Sequence, residues 1–137
     1  MADLYELTVS LDLRDDLSEP EVSAVRGHLG LGAGAVPGGE DGPAPLLGRH
    51  GAAYRVGGAL TAALARRPSG GWALTSRQEV HPDEFDEVGD VLVWLAARAA
   101  DGHVRPGDRV ALGSIRFYEC DRPEPLVVAG GKVEWPS

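Results

Sequence analysis

Hydrophobic and polar residues alternate along the start of the chain. Tyr5, Leu7, Val9, Leu11 and Leu13 are interleaved with Glu6, Thr8, Ser10, Asp12 and Arg14. Period two sustained over such a run predicts a half-buried β-strand, which Asp15 and Asp16 end. A helix is expected next. Ser18 reads as its cap, Glu21 completes a capping box, Pro20 sits near the first turn, and Gly30 follows a short stripe of Val22, Val25 and Leu29. The strongest helical period runs from His81 to Ala100, where Phe85, Val88, Leu92, Leu95 and Ala99 recur at spacings of three and four. Pro82 suits the first helical position, and Asp83, Glu84, Asp86 and Glu87 place negative charge where the helix dipole favours it. With Arg98 near its end and Gly102 beyond, this helix is expected to be roughly 28 Å long at about 1.5 Å per residue.

Between these elements the pattern is less uniform. Glycine and proline are so dense from Leu31 to Gly51 that neither helix nor strand is expected; the segment reads as a mobile loop, with Leu46 and Leu47 pinning its end to the core. Ala52 to Arg67 fits a strand with Tyr54, Val56, Leu60, Ala62 and Leu64 on one face. Its second half also has helix propensity and stops well at Pro68. The following turn, Pro68 to Gly71, and the renewed alternation of Trp72 to Val80 favour a hairpin, with Gly57 and Gly58 marking a bulge. After the long helix and a turn-rich connection, Val110 to Glu119 reads as a strand with Ile115 and Phe117 inward and Arg116 and Tyr118 outward. Leu126 to Ala129 and Lys132 to Trp135, joined by Gly130 and Gly131, read as a terminal hairpin.

The resulting order, β-α-β-β-α-β plus a hairpin, predicts one α+β domain spanning residues 1–137. Its topology is the ferredoxin-like split β-α-β arrangement: an antiparallel sheet with the first and third strands central, both helices on one face and the other face open. The topology serves many unrelated functions and carries no activity of its own.

Charge changes the picture more than length does. The 137 residues carry a formal charge of −8, which argues against a nucleic-acid partner. No acidic residue occurs from Gly42 to Gln78, while Arg49, Arg55, Arg66, Arg67 and Arg77 all fall there. No run approaches the roughly 20 apolar residues of a membrane span. Met1 leads directly into the first alternating run, without the basic start or apolar block of a signal peptide, and Cys120 has no second cysteine to pair with. A cytoplasmic protein is expected.

Candidate chemistry is sparse. His28, His50, His81 and His103 are scattered, with no ligand spacing for a metal. Cys120 lies between Glu119 and Asp121, which oppose the nearby Arg122, so an unreactive thiol is expected. The Gly30 to Gly34 run has glycines like a dinucleotide loop but follows a helix where that loop follows a strand. The paired carboxylates fall in turns or at the start of the long helix, where capping and solvation account for them. No catalytic, cofactor-binding or metal-ligating set is expected. Arg116 and Tyr118 beside Phe117 resemble the dressing of an RNA-binding sheet, but the glycine-flanked aromatic motif of that family is missing.

What remains is the outer sheet face. Glu6, Thr8, Ser10 and Asp12 are expected beside Thr75, Arg77 and Glu79, flanked by Arg116 and Tyr118, with Glu6 or Asp12 pairing with Arg77 or Arg116. The sequence therefore predicts a non-catalytic protein- or small-ligand-binding domain whose contact surface comprises Glu6, Asp12, Arg77, Arg116 and Tyr118, with an unidentified protein or a second copy as partner. Self-association through the open face and a small enzyme drawing on His50, Tyr54, Arg55, Arg77 and Tyr118 are the alternatives.

Overall fold

The N-terminal alternation forms β1 (Tyr5–Leu13), the strand from which the sheet extends in both directions. Leu7, Val9, Leu11 and Leu13 are each at most 2% exposed. At about 1.5–3 kcal/mol per buried side chain they form the largest single-strand contribution to the core. The computed structural model describes residues 3–31 and 46–136. Much of the Leu31 to Gly51 loop, and with it the expectation of mobility, lies outside the described residues; Leu47 is within them and fully buried, as expected of an anchor.

The remaining strands are β2 (Gly51–Ala52), β3 (Ala59–Arg66), β4 (Trp72–Val80), β5 (Val104–Arg105), β6 (Arg109–Phe117), β7 (Glu124–Ala129) and β8 (Lys132–Val133). All pairs are antiparallel, in the order β2-β3-β4-β1-β6-β7-β8, with β5 added beside β6. The fold is α+β with an eight-stranded sheet, larger than the four strands and separate hairpin expected. The terminal hairpin joins the main sheet because β7 pairs along β6, across an irregularity between Ala111 and Gly113.

Two helices pack against the inward face. In α1 (Glu19–His28) the predicted capping box is present: Ser18 Oγ accepts the Glu21 N–H, and the Glu21 carboxylate accepts the Ser18 N–H. α2 (Phe85–Ala96) follows a 3₁₀ turn, Pro82–Glu84, capped by His81 Nδ1. It is shorter than the sequence period implied. Beyond Ala97 the chain turns back to the sheet: Ala99 bridges Leu13, the Ala100 N–H donates to the Asp12 carbonyl, and the Arg14 N–H donates to the Arg98 carbonyl. Ala99 kept its place on the apolar stripe while leaving the helix, so periodicity alone could not mark the end. Arg98 donates to the Trp94 carbonyl and to Glu21, tying α2 to α1. Val25, Leu29, Val88, Leu92 and Leu95 meet the β1 leucines in one core. No helix among the described residues is long and apolar enough to cross a membrane.

The predicted strand from Ala52 to Arg67 is the main local departure. Only Ala59–Arg66 forms an eight-residue strand, while residues 53–58 leave the sheet edge. Gly57 and Gly58 have φ of 86° and 67°, which side-chain-bearing residues adopt only at a cost. Leu60 and Ala62 point inward as expected. Tyr54 and Val56 belong instead to a flap that folds over the outward face.

Candidate functional site

The outward face is organised around two carboxylates directly opposite each other. Glu6 on β1 is in register with Glu79 on β4, and Glu6 is also in register with Arg116 on β6. Like charges facing across a ladder repel, so each carboxylate needs its own counterweight. Glu6 receives the guanidinium of Arg77 at 2.8 Å through Nε, with a second Arg77 contact through Nη2. On its other side Arg116 donates through Nε at 2.9 Å. Burial pushes the Glu6 carboxyl upward, but the hydrogen bonds from Arg116 and Arg77 and their charges outweigh it and hold the group below its ordinary value.

Glu79 is satisfied differently. It is 6% exposed. Its carboxylate accepts three consecutive backbone N–H groups: Tyr54 at 2.6 Å, Arg55 at 2.5 Å and Val56 at 3.0 Å. Burial raises its carboxyl, and those three donors together with the Arg77 charge more than reverse the effect, leaving it depressed. Three adjacent donors on one charged acceptor fix the flap from residue 53 to residue 58 in one position. The Val56 carbonyl closes the arrangement by accepting from Arg77 and Arg116. Arg116 also donates to the carbonyls of Tyr118 and Cys120, so it fastens the turn after β6 to the same cluster.

The flap displays what it carries. Tyr54 is 76% exposed, and among the described residues the other exposed large hydrophobic, Val104, reaches only 52%. The Arg55 guanidinium lies 5.2 Å from the Tyr54 ring centre and 5.5 Å from that of Tyr118, within cation–π range of both. A tyrosine–arginine–tyrosine row thus stands on a base of paired charges.

Of the five surface residues expected from sequence, the structure gathers Glu6, Arg77 and Arg116 into one network and sets Tyr118 beside it. Asp12 is not part of it. It lies at the far end of β1, roughly 20 Å away at about 3.3 Å per residue, with Arg67 at 3.7 Å and His103 Nε2 at 3.9 Å. Arg55, Arg66 and Arg67, from the acid-free stretch, are each engaged within the chain: Arg55 on the tyrosines, Arg66 on Asp15 and the Trp72 ring, Arg67 on Asp12.

Sequence reasoning missed the role of Glu79 and the flap. Tyr54 and Val56 continue the alternation of the following strand, and the signal against it was the Gly57–Gly58 pair. It also missed Ser76 and Gln78, polar residues buried on the inward face of β4. Ser76 donates to the Leu47 carbonyl, while the Gln78 amide accepts from the Arg49 N–H and donates to the carbonyls of Leu47, Arg49 and Thr61. The two side chains supply the backbone partners of the segment that Leu47 anchors.

Among the described residues no group of three or more His, Cys, Asp or Glu side chains is arranged to hold a metal ion. The Glu6 and Glu79 carboxylates are committed to guanidinium and backbone amide donors, an arrangement that fixes this part of the surface in place. Comparison with family models, with curated proteins and with solved structures finds no match for this chain.

Proposed function

We propose that the protein is a non-catalytic binding domain that engages a protein partner through the row of Tyr54, Arg55 and Tyr118. The observation that carries this reading is the exposed Tyr54 on a flap held by a buried carboxylate through three backbone bonds. A loop fixed before binding loses little entropy on association, and tyrosine and arginine are enriched where binding energy concentrates. Glu6, Arg77 and Arg116, first read as contact residues, become the support beneath that row in this proposal. A cytoplasmic setting belongs to the same reading and rests on the lone Cys120.

The sheet is read here as an enlarged split β-α-β, or ferredoxin-like, arrangement. Supporting this, the four long strands β1, β3, β4 and β6 stand in the spatial order fourth, first, third, second. β7 and β8 then extend one edge, and β2 the other.

The test compares partner capture by the wild-type protein with that of Tyr54→Ala/Arg55→Ala, both as the full chain. The expected result is at least about tenfold weaker capture, roughly 1.4 kcal/mol, with an unchanged melting temperature. Equal capture by both proteins would refute the assignment.

A further inference from the structure

On the inward side of the sheet, remote from the flap, a groove of about 260 Å³ runs between α2 and the end of the chain. Its floor is aromatic. Phe85 and Trp135 stack with ring centres 4.0 Å apart and planes inclined by only 3°. Asp86 and Asp90, one helical turn apart and both exposed, line it from α2, and Lys132, also exposed, lines it from β8. None of the three charges has an ion-pair partner among the described residues.

The remaining observation is Gly89, buried in the middle of α2 and lining the same groove. Glycine weakens a helix relative to alanine. Neither strain nor crowding requires it here: a Cβ at this position would lie 3.5 Å from the Trp135 ring and 3.8 Å from Val133, ordinary contact distances. A methyl there would sit in contact with the indole at the wall of the groove, narrowing it at that point.

We propose that this groove binds a small zwitterion with an apolar body, the chemistry of a free α-amino acid bearing an aliphatic or aromatic side chain. Its ammonium faces Asp86 and Asp90, its carboxylate faces Lys132, and its apolar body rests on Phe85, Gly89 and Trp135. The three unpaired charges, two negative and one positive, are answered together only by a ligand carrying both signs. An amine alone leaves Lys132 opposed, and an acid alone meets two carboxylates. The volume lies just below the usual range for drug-sized ligands, which limits the occupant to something small. The proposal is independent of the outward-face surface.

The experiment titrates the full chain with L-phenylalanine, phenethylamine and 3-phenylpropionate. It follows the Gly89 and Gly131 amides and the Trp135 indole N–H by nuclear magnetic resonance. L-phenylalanine should give saturable shifts at these three positions in the millimolar range or below, and each singly charged analogue should bind at least about tenfold more weakly. Gly89→Ala should melt no lower than wild type yet lose at least about tenfold in phenylalanine affinity. Asp86→Asn/Asp90→Asn, confined to exposed positions, should abolish the preference for phenylalanine over 3-phenylpropionate, and it carries the test should Gly89→Ala perturb α2. The proposal is overturned by the absence of saturable shifts through the millimolar range, by equal affinity for all three compounds, or by a well-folded Gly89→Ala that binds as wild type does.

Discussion

Replacing Glu79 with Gln isolates the interaction that holds the flap. The side chain keeps its shape but loses its charge and one acceptor. In the wild type one carboxylate oxygen accepts Tyr54 N–H at 2.6 Å, and the other accepts Arg55 at 2.5 Å and Val56 at 3.0 Å. A Gln that keeps its oxygen toward Arg55 and Val56 turns its NH₂ toward the Tyr54 N–H, donor against donor. One charge-assisted bond, about 1.5–3 kcal/mol, is lost, and the other two fall to neutral strength. Together this should lower the free energy of flap opening by about 2–4 kcal/mol. Amide hydrogen exchange at residues 54–56 should therefore accelerate roughly 30- to 700-fold, at about 1.4 kcal/mol per factor of ten, while the β1 and β4 amides retain most of their protection. Unchanged exchange at those three amides would show that Glu79 does not hold the flap. A uniform loss across the sheet would show that the flap is not a separate unit.

Three other perturbations follow from the same geometry. Glu6 and Glu79 both have folded-state values below the ordinary 4.5, so their contribution to stability is present above that pH and is lost as pH falls through the folded values. The denaturant midpoint should decline below about pH 4.5, and Glu6→Gln/Glu79→Gln should flatten that decline. Gln78→Leu leaves the Arg49 N–H and carbonyls of Leu47, Arg49 and Thr61 without their side-chain partner; it should cost about 2–4 kcal/mol by chemical denaturation, and a loss under about 0.5 kcal/mol would contradict this. Gly113→Ala places a Cβ 1.9 Å from the Thr8 carbonyl oxygen; it should destabilise by about 3 kcal/mol or more, measured the same way, because β1 and β6 must separate to admit it.

The parts legible in the sequence were those governed by local pattern. The β1 alternation predicted which of its residues face inward and which outward, and Ser18 with Glu21 predicted the start of α1. The approach of Glu6 to Arg77 and Arg116 was also within reach, because strand order and period two fix which side chains share a face. The flap was not. Tyr54 and Val56 satisfy the alternation of the following strand, and what removes them from it is a carboxylate 23 to 25 residues later in the chain. The end of α2 was hidden for a similar reason: Ala99 serves the apolar stripe of a helix and the bridge to Leu13 equally well. Period two places Ser76 and Gln78 on the inward face of β4, but nothing local announces the Leu47 segment that they hold.

The most direct test of the proposed function places a photo-crosslinking benzoylphenylalanine at Tyr54 in the full chain, with the same substitution at exposed Val104 as the control. Cross-linking is carried out in cells, in wild-type and Glu79→Gln backgrounds. The proposed function predicts a discrete adduct from position 54, absent from position 104 and reduced at least about tenfold by Glu79→Gln. Equal adducts from both positions, or an adduct from position 54 indifferent to Glu79, would contradict it.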